Sequence, residues 1–276
     1  MKNGILAAMA LCCATSSTVP LWAAEYQEPV LKTVEPNLAT DGTGGGVYYV
    51  YHMASKSFLT AGNKYGTQLS VGENGMKITL DYGTERAPLL GQKPKVDGTG
   101  WIFNMMDAPT NSGFHEVYLT DRTQAWVDCN EQGHTLWDIQ KQENGTYRIM
   151  VVKQDTVYSR NEEGEYVERM WGVSEGSTAV LPTANPEEGG YENAEVDWSF
   201  TTDEYYELYK AKKSLYTELV YADEQGFTEV SSYESLYDSN DATADEVLRA
   251  ALALRQAVMD KQGEGATEEN PKDFTS

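Results

Sequence analysis

The chain has 276 residues, of which 43 are acidic and 21 are basic, and its formal net charge at pH 7 is -22. Such a charge repels polyanions, so we expect no nucleic acid partner and no docking on an anionic membrane surface. Since single domains usually span about 100–200 residues, the length predicts one substantial domain and a smaller one.

Residues 1–24 are predicted to be a cleaved signal peptide. Lys2 gives a positive start, residues 5–14 are continuously apolar, and the small residues Ala23 and Ala24 occupy the predicted cleavage site. A membrane-spanning helix needs about 20 apolar residues, and this run is too short. We therefore expect an extracytoplasmic protein, secreted or displayed on the cell envelope, that is not inserted in the membrane after cleavage.

The cysteines leave the question of a lipid anchor open. Cys12 and Cys13 lie inside the predicted signal, where a lipoprotein would carry its lipid-bearing cysteine, but neither follows a small residue. Release is therefore favoured over anchoring by a lipid chain. Cys129 would be the one cysteine left after cleavage, so the mature chain would contain no internal disulfide.

After a predicted linker, residues 25–45, the sequence repeats itself. Three similar tripeptides about fifty residues apart precede runs of aromatic and β-branched residues. They are Asp41-Gly42-Thr43, Asp97-Gly98-Thr99 and Asn144-Gly145-Thr146. The glycine-rich residues 42–46 open no helix, so they predict a flexible entry and not a phosphate-binding loop.

Each tripeptide precedes the same predicted order of strands, because β-branched and aromatic residues suit a half-buried pleated surface. The first strands are 47–51, 101–105 and 147–152, and the second strands are 58–60, 118–120 and 157–159. Each unit closes on two apolar residues at alternate positions, which are Ile78 and Leu80, Trp137 and Ile139, and Trp198 and Phe200. The residues 143–145 predict a tight hairpin turn, since Asn-Gly readily supplies positive φ angles.

Three units of this size cannot each bury a core, so we expect them to close around a common one. The clearest stretch is Trp137-Asp138-Ile139 followed by residues 145–149, Gly-Thr-Tyr-Arg-Ile. It resembles the tryptophan strand and return strand of the ricin-B-type lectin family, although Thr135 stands where the family signature has glutamine. The resemblance covers residues 46–202 and implies a β-trefoil of three pseudo-repeats. It also implies sugar sites built from an acidic side chain, an amide and an aromatic ring.

Residues 123–128 contain this combination of side chains in the second unit. Strict alternation would place Gln124, Trp126 and Asp128 on one face, and Asp121 and Asn130 are close in sequence. Trp126 would then be exposed beside polar groups, where its ring could stack on a sugar. The alternative is that Trp126 faces the core, since most tryptophans are largely buried.

Equivalent candidates occur in the other two units. Tyr65 with Asn63 and Gln68 is the candidate group in the first unit, and Trp171 with Asn161 is the group in the third. Their surroundings lack an alternation that fixes the direction of the ring. Ordinary packing of each ring in the core is therefore the alternative.

Three catalytic or metal-binding patterns occur without their required context. Residues 172–176 match the Gly-x-Ser-x-Gly elbow of hydrolases, but no helix is predicted after Ser174 and no histidine follows it. His115-Glu116 lacks the second histidine of a zinc-binding helix. Residues 128–139 begin like a calcium loop but end at Ile139 in place of glutamate. We therefore expect a protein that is not an enzyme and has neither a metal site nor a cofactor.

Beyond Phe200 the apolar periodicity changes from two to nearly four, which predicts helices. Thr201 and Glu204 have the spacing of a capping box at the start of the first helix, and Gly226 lies past its end. A short second helix is predicted around Tyr233, Leu236 and Tyr237.

The third predicted helix starts with a capping box at Thr243 and Glu246 and ends at Gly263. Its buried face is predicted to carry Val247, Ala251, Leu254 and Val258. Through residues 240–244 and the Ala/Leu-rich helix that follows, the region 203–262 resembles the helical FIVAR-type repeats of extracellular bacterial proteins. The resemblance implies a spacer or adhesion module, and residues 263–276 have the composition of an acidic linker.

These features favour an exported, non-catalytic carbohydrate-binding module whose partner is a glycan or glycoprotein. A structural or adhesive module that binds protein is the first alternative. The second is a non-catalytic N-terminal part of a larger polysaccharide-processing enzyme, with further domains beyond Ser276.

Overall fold

A computed structural model describes residues 26–61, 67–83, 98–105, 116–120, 124–128, 136–152, 168–184 and 194–264. The chain divides into two compact units. Among the described residues, those from 30 to 210 form a β unit, and residues 26–29 and 211–264 form a helical unit. The boundary between them falls inside the first helix, eight residues after the boundary that the change of periodicity predicts.

The described residues of the β unit are mostly in strands. In chain order these are β1 (Gly46–His52), β2 (Ser57–Ala61), β3 (Thr67–Gly72), β4 (Ile78–Gly83), β5 (Gly100–Met105), β6 (Glu116–Thr120), β7 (Gln124–Asp128), β8 (Trp137–Lys141), β9 (Tyr147–Val151), β10 (Arg169–Ser174), β11 (Leu181–Ala184), β12 (Ala194–Glu195) and β13 (Trp198–Thr201). The helices are α1 (Asp203–Glu224), α2 (Ser231–Asp238) and α3 (Ala244–Glu264).

Six of these strands form a closed antiparallel barrel. β1 pairs with β4, β4 with β5, β5 with β8, β8 with β9, β9 with β13, and β13 returns to β1. The barrel strands are the first and last strands of the three predicted units. The strands between them pair as hairpins, β2 with β3, β6 with β7 and β10 with β11.

The predicted strands that fall on described residues are confirmed. First and closing strands of all three units occur where the alternation predicts them, and so do the second strands at 58–60 and 118–120. The predicted strand at 157–159 lies outside the described residues. Residues 172–176 end β10 in a turn, and Leu181 begins a strand, so the helix of a hydrolase elbow does not follow Ser174.

Two of the three tripeptides that mark the repeats form the same pair of side-chain hydrogen bonds. In Asp41-Gly42-Thr43 the Asp41 carboxylate accepts from the amide and the hydroxyl of Thr43, at 3.0 and 2.6 Å. In Asn144-Gly145-Thr146 the Asn144 Oδ1 accepts from the same two groups of Thr146, at 3.0 and 2.7 Å. Gly42 and Gly145 have φ angles of +91° and +82°, whereas Asn144 has no positive φ, so only the glycine uses the left-handed region.

The contribution of the Asn144 side chain to stability can be measured by comparing two substitutions in the same turn. Replacing Asn144 with alanine removes both bonds to Thr146, and bonds of this kind contribute about 0.5–1.5 kcal/mol each. We expect Asn144→Ala to lower the free energy of unfolding by about 1–2 kcal/mol in urea titrations. Glu143→Ala in the same turn is the control and should change it little. Equal effects of the two substitutions would show that the side-chain bonds do not hold the turn.

The barrel interior is filled by aromatic and aliphatic side chains from all six barrel strands and from β10. Trp171 lies at the centre of the aromatic group. The centroid of its ring is 4.8 Å from that of Phe103, 4.9 Å from that of Trp137 and 6.0 Å from that of Trp198. The Trp198 indole N–H donates to the Trp171 carbonyl oxygen at 2.9 Å, which ties β13 to β10 inside the core.

The segment predicted as a linker is part of the β unit, which corrects that interpretation for residues 30–45. Val34 forms a β-bridge with Phe200, and its amide donates to the Phe200 carbonyl at 2.8 Å. A Cβ added at Gly44 would lie 1.9 Å from the Ala39 carbonyl oxygen, and one at Gly45 would lie 2.2 Å from that of Leu80. The glycines therefore permit close backbone contact, and the segment is not a flexible entry.

A second apolar cluster joins the outer face of β1 and β2 to the first turns of α1. Tyr49 and Tyr206 stack with their ring centroids 3.8 Å apart and their planes 7° apart. Phe58 meets Tyr206 edge-on at 4.8 Å, and Leu31 belongs to the same cluster. Asp203 forms an ion pair with Lys77, in which Lys77 Nζ lies 2.9 Å from Asp203 Oδ1. The start of α1 is therefore packed as part of the β unit.

His52 is a buried polar residue at the end of β1, with 1% of its surface exposed. Its Nε2 donates to the Glu195 carbonyl oxygen at 3.0 Å, while its Nδ1 accepts from the Ser55 amide at 3.3 Å. These contacts use the neutral ring with its proton on Nε2. Burial lowers the pKa of His52 below its ordinary value of 6.5, although the Glu195 carbonyl and the nearby Asp197 partly oppose the shift.

This burial predicts a pH-dependent component of stability. Because the folded-state pKa lies below the unfolded value, the unfolded chain binds more protons between the two values. The contribution is fully present above about pH 6.5 and is lost as the pH falls through the folded-state pKa. The free energy of unfolding of the wild type should therefore fall between pH 7.5 and 5, and that of His52→Gln should fall less steeply. Parallel pH profiles of the two proteins would contradict this assignment.

In the helical unit, α1 ends as predicted at a glycine. Gly226 has a φ of +67°, and the amide of Phe227 donates to the Ala222 carbonyl at 2.8 Å while that of Gly226 donates to Asp223 at 2.9 Å. This pair of bonds is a Schellman motif. Tyr26 also belongs to this unit, and its hydroxyl donates to the Glu234 carboxylate of α2 at 2.8 Å.

The capping box of α3 is confirmed. The Thr243 amide donates to Glu246 Oε2 at 2.9 Å, and the Glu246 amide donates to Thr243 Oγ1 at 3.3 Å. The predicted core face of α3 is also confirmed, since Val247, Ala251, Leu254 and Val258 are all buried. A neighbouring stripe on the same helix is exposed and consists of Leu248, Leu252 and Met259.

Two predicted helix boundaries are wrong. Thr201 is the last residue of β13, and its hydroxyl donates to the Lys32 carbonyl at 2.7 Å, so it does not cap α1. Instead the Thr202 carbonyl accepts the first helical bond, from the amide of Tyr206 at 2.9 Å. Gly263 lies within α3, which continues to Glu264. Among the described helices, none combines the length and the apolarity needed to cross a membrane.

Candidate functional site

A cleft of about 320 Å³ opens on the barrel wall where the end of β4, the start of β5, β8 and the end of β9 meet. This volume is at the lower end of the range for small-molecule sites. The lining residues come from six separate segments of the β unit. They are Thr40, Tyr82, Thr99, Gly100, Trp101, Trp137, Asp138, Gln140, Met150, Val151, Val152 and Glu168.

The floor of the cleft is apolar and is formed by residues on three neighbouring barrel strands. Trp101 lies opposite Trp137 in the pairing of β5 with β8, and Trp137 lies opposite Val151 in the pairing of β8 with β9. All three side chains are buried, and so is Met150. Since these strands belong to the closed barrel, the floor is fixed before any ligand arrives.

Asp138 and Gln140 form one polar edge of the cleft. The alternation of β8 buries Trp137 and Ile139 and leaves Asp138 and Gln140 exposed. The Gln140 Nε2 donates to Asp138 Oδ2 at 2.7 Å, which orients both side chains. A carboxylate carries two oxygens and the amide carries a further N–H and an oxygen, so the pair can bind two neighbouring hydroxyl groups.

Tyr82 supplies an aromatic ring to the lining of the cleft. Its ring meets Trp101 edge-on, with centroids 5.0 Å apart, and its hydroxyl is 2.9 Å from Thr99 Oγ1. Both contacts restrain the ring while part of its surface is exposed. The cleft therefore combines a restrained aromatic ring, a carboxylate and an amide above an apolar floor.

The comparisons with known proteins add no relative. No family model, no curated protein and no solved structure matches the chain. The candidate site is therefore assigned from its own geometry. In the part of the chain that the structure describes, no group of three or more histidine, cysteine, aspartate or glutamate side chains could hold a metal ion.

The sugar site predicted around Trp126 falls mostly outside the described part of the chain. Asp121 and Asn130 are not described, and neither are Asn63, Tyr65 and Asn161. Gln124, Trp126 and Asp128 are described only in their backbone, which forms β7 between β6 and β3. That pairing places the backbone of Trp126, from the second candidate group, opposite that of Gln68, from the first.

For Trp171, the structure supports packing in the core and not a place in a sugar site. Its side chain is completely buried in the aromatic group of the barrel core, against Phe103, Trp137 and Trp198. A ring in that position cannot stack on a sugar from solution. The core alternative therefore applies to Trp171.

Tyr82, Asp138, Gln140 and Glu168 were not among the sequence-based candidates. For Asp138 and Gln140 a signal was present, because the alternation that buries Trp137 and Ile139 turns them outward. For Tyr82 and Glu168 there was none. Tyr82 joins the cleft through the pairing of β4 with β5, and Glu168 lies next to β10, which pairs with β9.

The close packing around Gly100, on the cleft floor, can be tested by comparison with the glycine that pairs with it. A Cβ added there would lie 2.8 Å from Leu136 Cβ and 2.9 Å from Val152 Cγ2, whereas one added at Gly83, directly opposite in the ladder, would meet nothing within 4 Å. Overpacking typically costs about 1–3 kcal/mol. We expect Gly100→Ala to lower the free energy of unfolding by that amount and Gly83→Ala to change it by less than about 1 kcal/mol. A Gly100→Ala protein as stable as Gly83→Ala would contradict the close packing.

Proposed function

We propose that residues 46–202 form a β-trefoil of the ricin-B type that acts as an exported, non-catalytic carbohydrate-binding module. The support for the trefoil is the shared role of equivalent strands. In each of the three units the first and last strands belong to the six-stranded barrel and two middle strands pair as a hairpin. The helical unit is proposed to be a FIVAR-like spacer.

The observation that carries the sugar-binding proposal is the arrangement of Tyr82, Asp138 and Gln140 around one apolar floor. Sugar rings have apolar C–H faces and hydroxyl edges, so they need an aromatic surface next to hydrogen-bonding groups. Tyr82 is half-buried and restrained by Trp101, and the Asp138–Gln140 pair is exposed and mutually oriented. Restrained side chains lose little entropy on binding, which favours affinity.

The proposal is tested with the full chain on an immobilised panel of neutral, amino and acidic oligosaccharides. We expect retention of at least one sugar class by the wild type. Asp138→Ala should weaken binding about tenfold or more, since a hydrogen bond to a charged group contributes about 1.5–3 kcal/mol. Tyr82→Ala should also weaken binding, because it removes the aromatic surface for the apolar face of the sugar. Glu143→Ala removes the same charge from the exposed β8–β9 turn, outside the cleft, and should bind like the wild type.

Two outcomes would redirect the proposal. If Trp126→Ala abolishes retention while Asp138→Ala does not, the site lies on β7 and not in the cleft. If no sugar in the panel is retained, the carbohydrate-binding function is wrong and the protein-binding alternative is favoured.

A further inference from the structure

Among the described residues that line the cleft, the charged ones are all acidic. Asp138 and Glu168 line it, both are exposed, and none of the described lining residues is a lysine, arginine or histidine. The chain as a whole has a formal charge of -22. A cleft with carboxylates above a low-dielectric floor concentrates this field and raises the local concentration of cations.

Two cations on strands that line the cleft form ion pairs with residues outside it. Arg148 is opposite Gln140 in the β8–β9 ladder, but its Nε lies 3.9 Å from the Asp197 carboxylate. The Lys141 ammonium contacts the Glu35 carboxylate. Neither Asp197 nor Glu35 lines the cleft, so these ion pairs do not neutralise Asp138 and Glu168.

We infer that the cleft selects sugars that carry a free ammonium group, such as glucosamine, over N-acetylated and acidic sugars. This inference rests on the carbohydrate-binding function proposed above. A sugar ammonium donates charge-assisted hydrogen bonds to carboxylates, and such bonds are roughly twice as strong as neutral ones. A uronic acid would instead bring a like charge next to Asp138 and Glu168, which disfavours its binding.

A cationic peptide would satisfy the same carboxylates but not the remainder of the site. The apolar residues Tyr82, Trp101 and Met150 also line the cleft. A sugar ring presents an apolar face and a polar edge at once, whereas a lysine side chain separates its ammonium from its backbone by a flexible stem. The geometry therefore favours an amino sugar.

The test is calorimetric titration of the full chain at pH 6 with four trimers: glucosamine, N-acetylglucosamine, galacturonate and lysine. We expect the glucosamine trimer to bind about tenfold more tightly than the N-acetylglucosamine trimer, and the galacturonate trimer to bind more weakly than both. The preference should shrink at high salt, where charges are screened. Asp138→Asn and Glu168→Gln should each reduce it several-fold, while Glu143→Gln, which removes a charge outside the cleft, should preserve it.

The outcomes separate this inference from the function on which it rests. Equal binding of the three sugars, or a preference that survives both substitutions, overturns the amino-sugar inference and leaves carbohydrate binding standing. Tighter binding of the lysine trimer than of the glucosamine trimer assigns the cleft to cationic peptides. If none of the three sugars binds the wild type, the carbohydrate-binding proposal fails, and the inference fails with it.

Discussion

Closure of the barrel by the pairing of β13 with β1 is the constraint on which the β unit depends. Val50 lies opposite Phe200 in this pairing, and both side chains are completely buried. A shift of β13 by one residue would turn Phe200 to the outside, since neighbouring residues of a strand face opposite sides. Closure also removes the open edges that strands would otherwise expose. The cost is the loop entropy of joining distant segments, which the aromatic core offsets.

The cleft is a consequence of the same closure. Its floor is made where β5, β8 and β9 run side by side, so Trp101, Trp137 and Val151 share one rung across three strands. The edge of Tyr82 against Trp101 then sets the position of the aromatic ring relative to that floor. A site supported by barrel strands is more precise than one carried on loops. The geometry of the cleft is therefore set by the strand pairing of the barrel.

Local signals in the sequence were sufficient for most strands and turns, because alternation and turn chemistry act over only a few residues. Trp137 and Ile139 were placed correctly from spacing alone. The direction of Trp171 was not predictable, since it is set by rings from other strands that meet it inside the barrel. The cleft was missed for a related reason. Tyr82 and Glu168 both line the cleft as a result of strand pairing. A local sequence pattern does not show which strands pair.

The alternation of β8 places core residues and exposed cleft residues at alternate positions of one short strand. Trp137 and Ile139 are buried in the core, while the alternate residues Asp138 and Gln140 are exposed and line the cleft. Substitution of the outward residues changes the charge and hydrogen bonding of the site without opening a cavity in the core. The ligand preference of such a strand can therefore vary while its packing stays the same. For this reason the charge of the rim can change independently of the barrel beneath it.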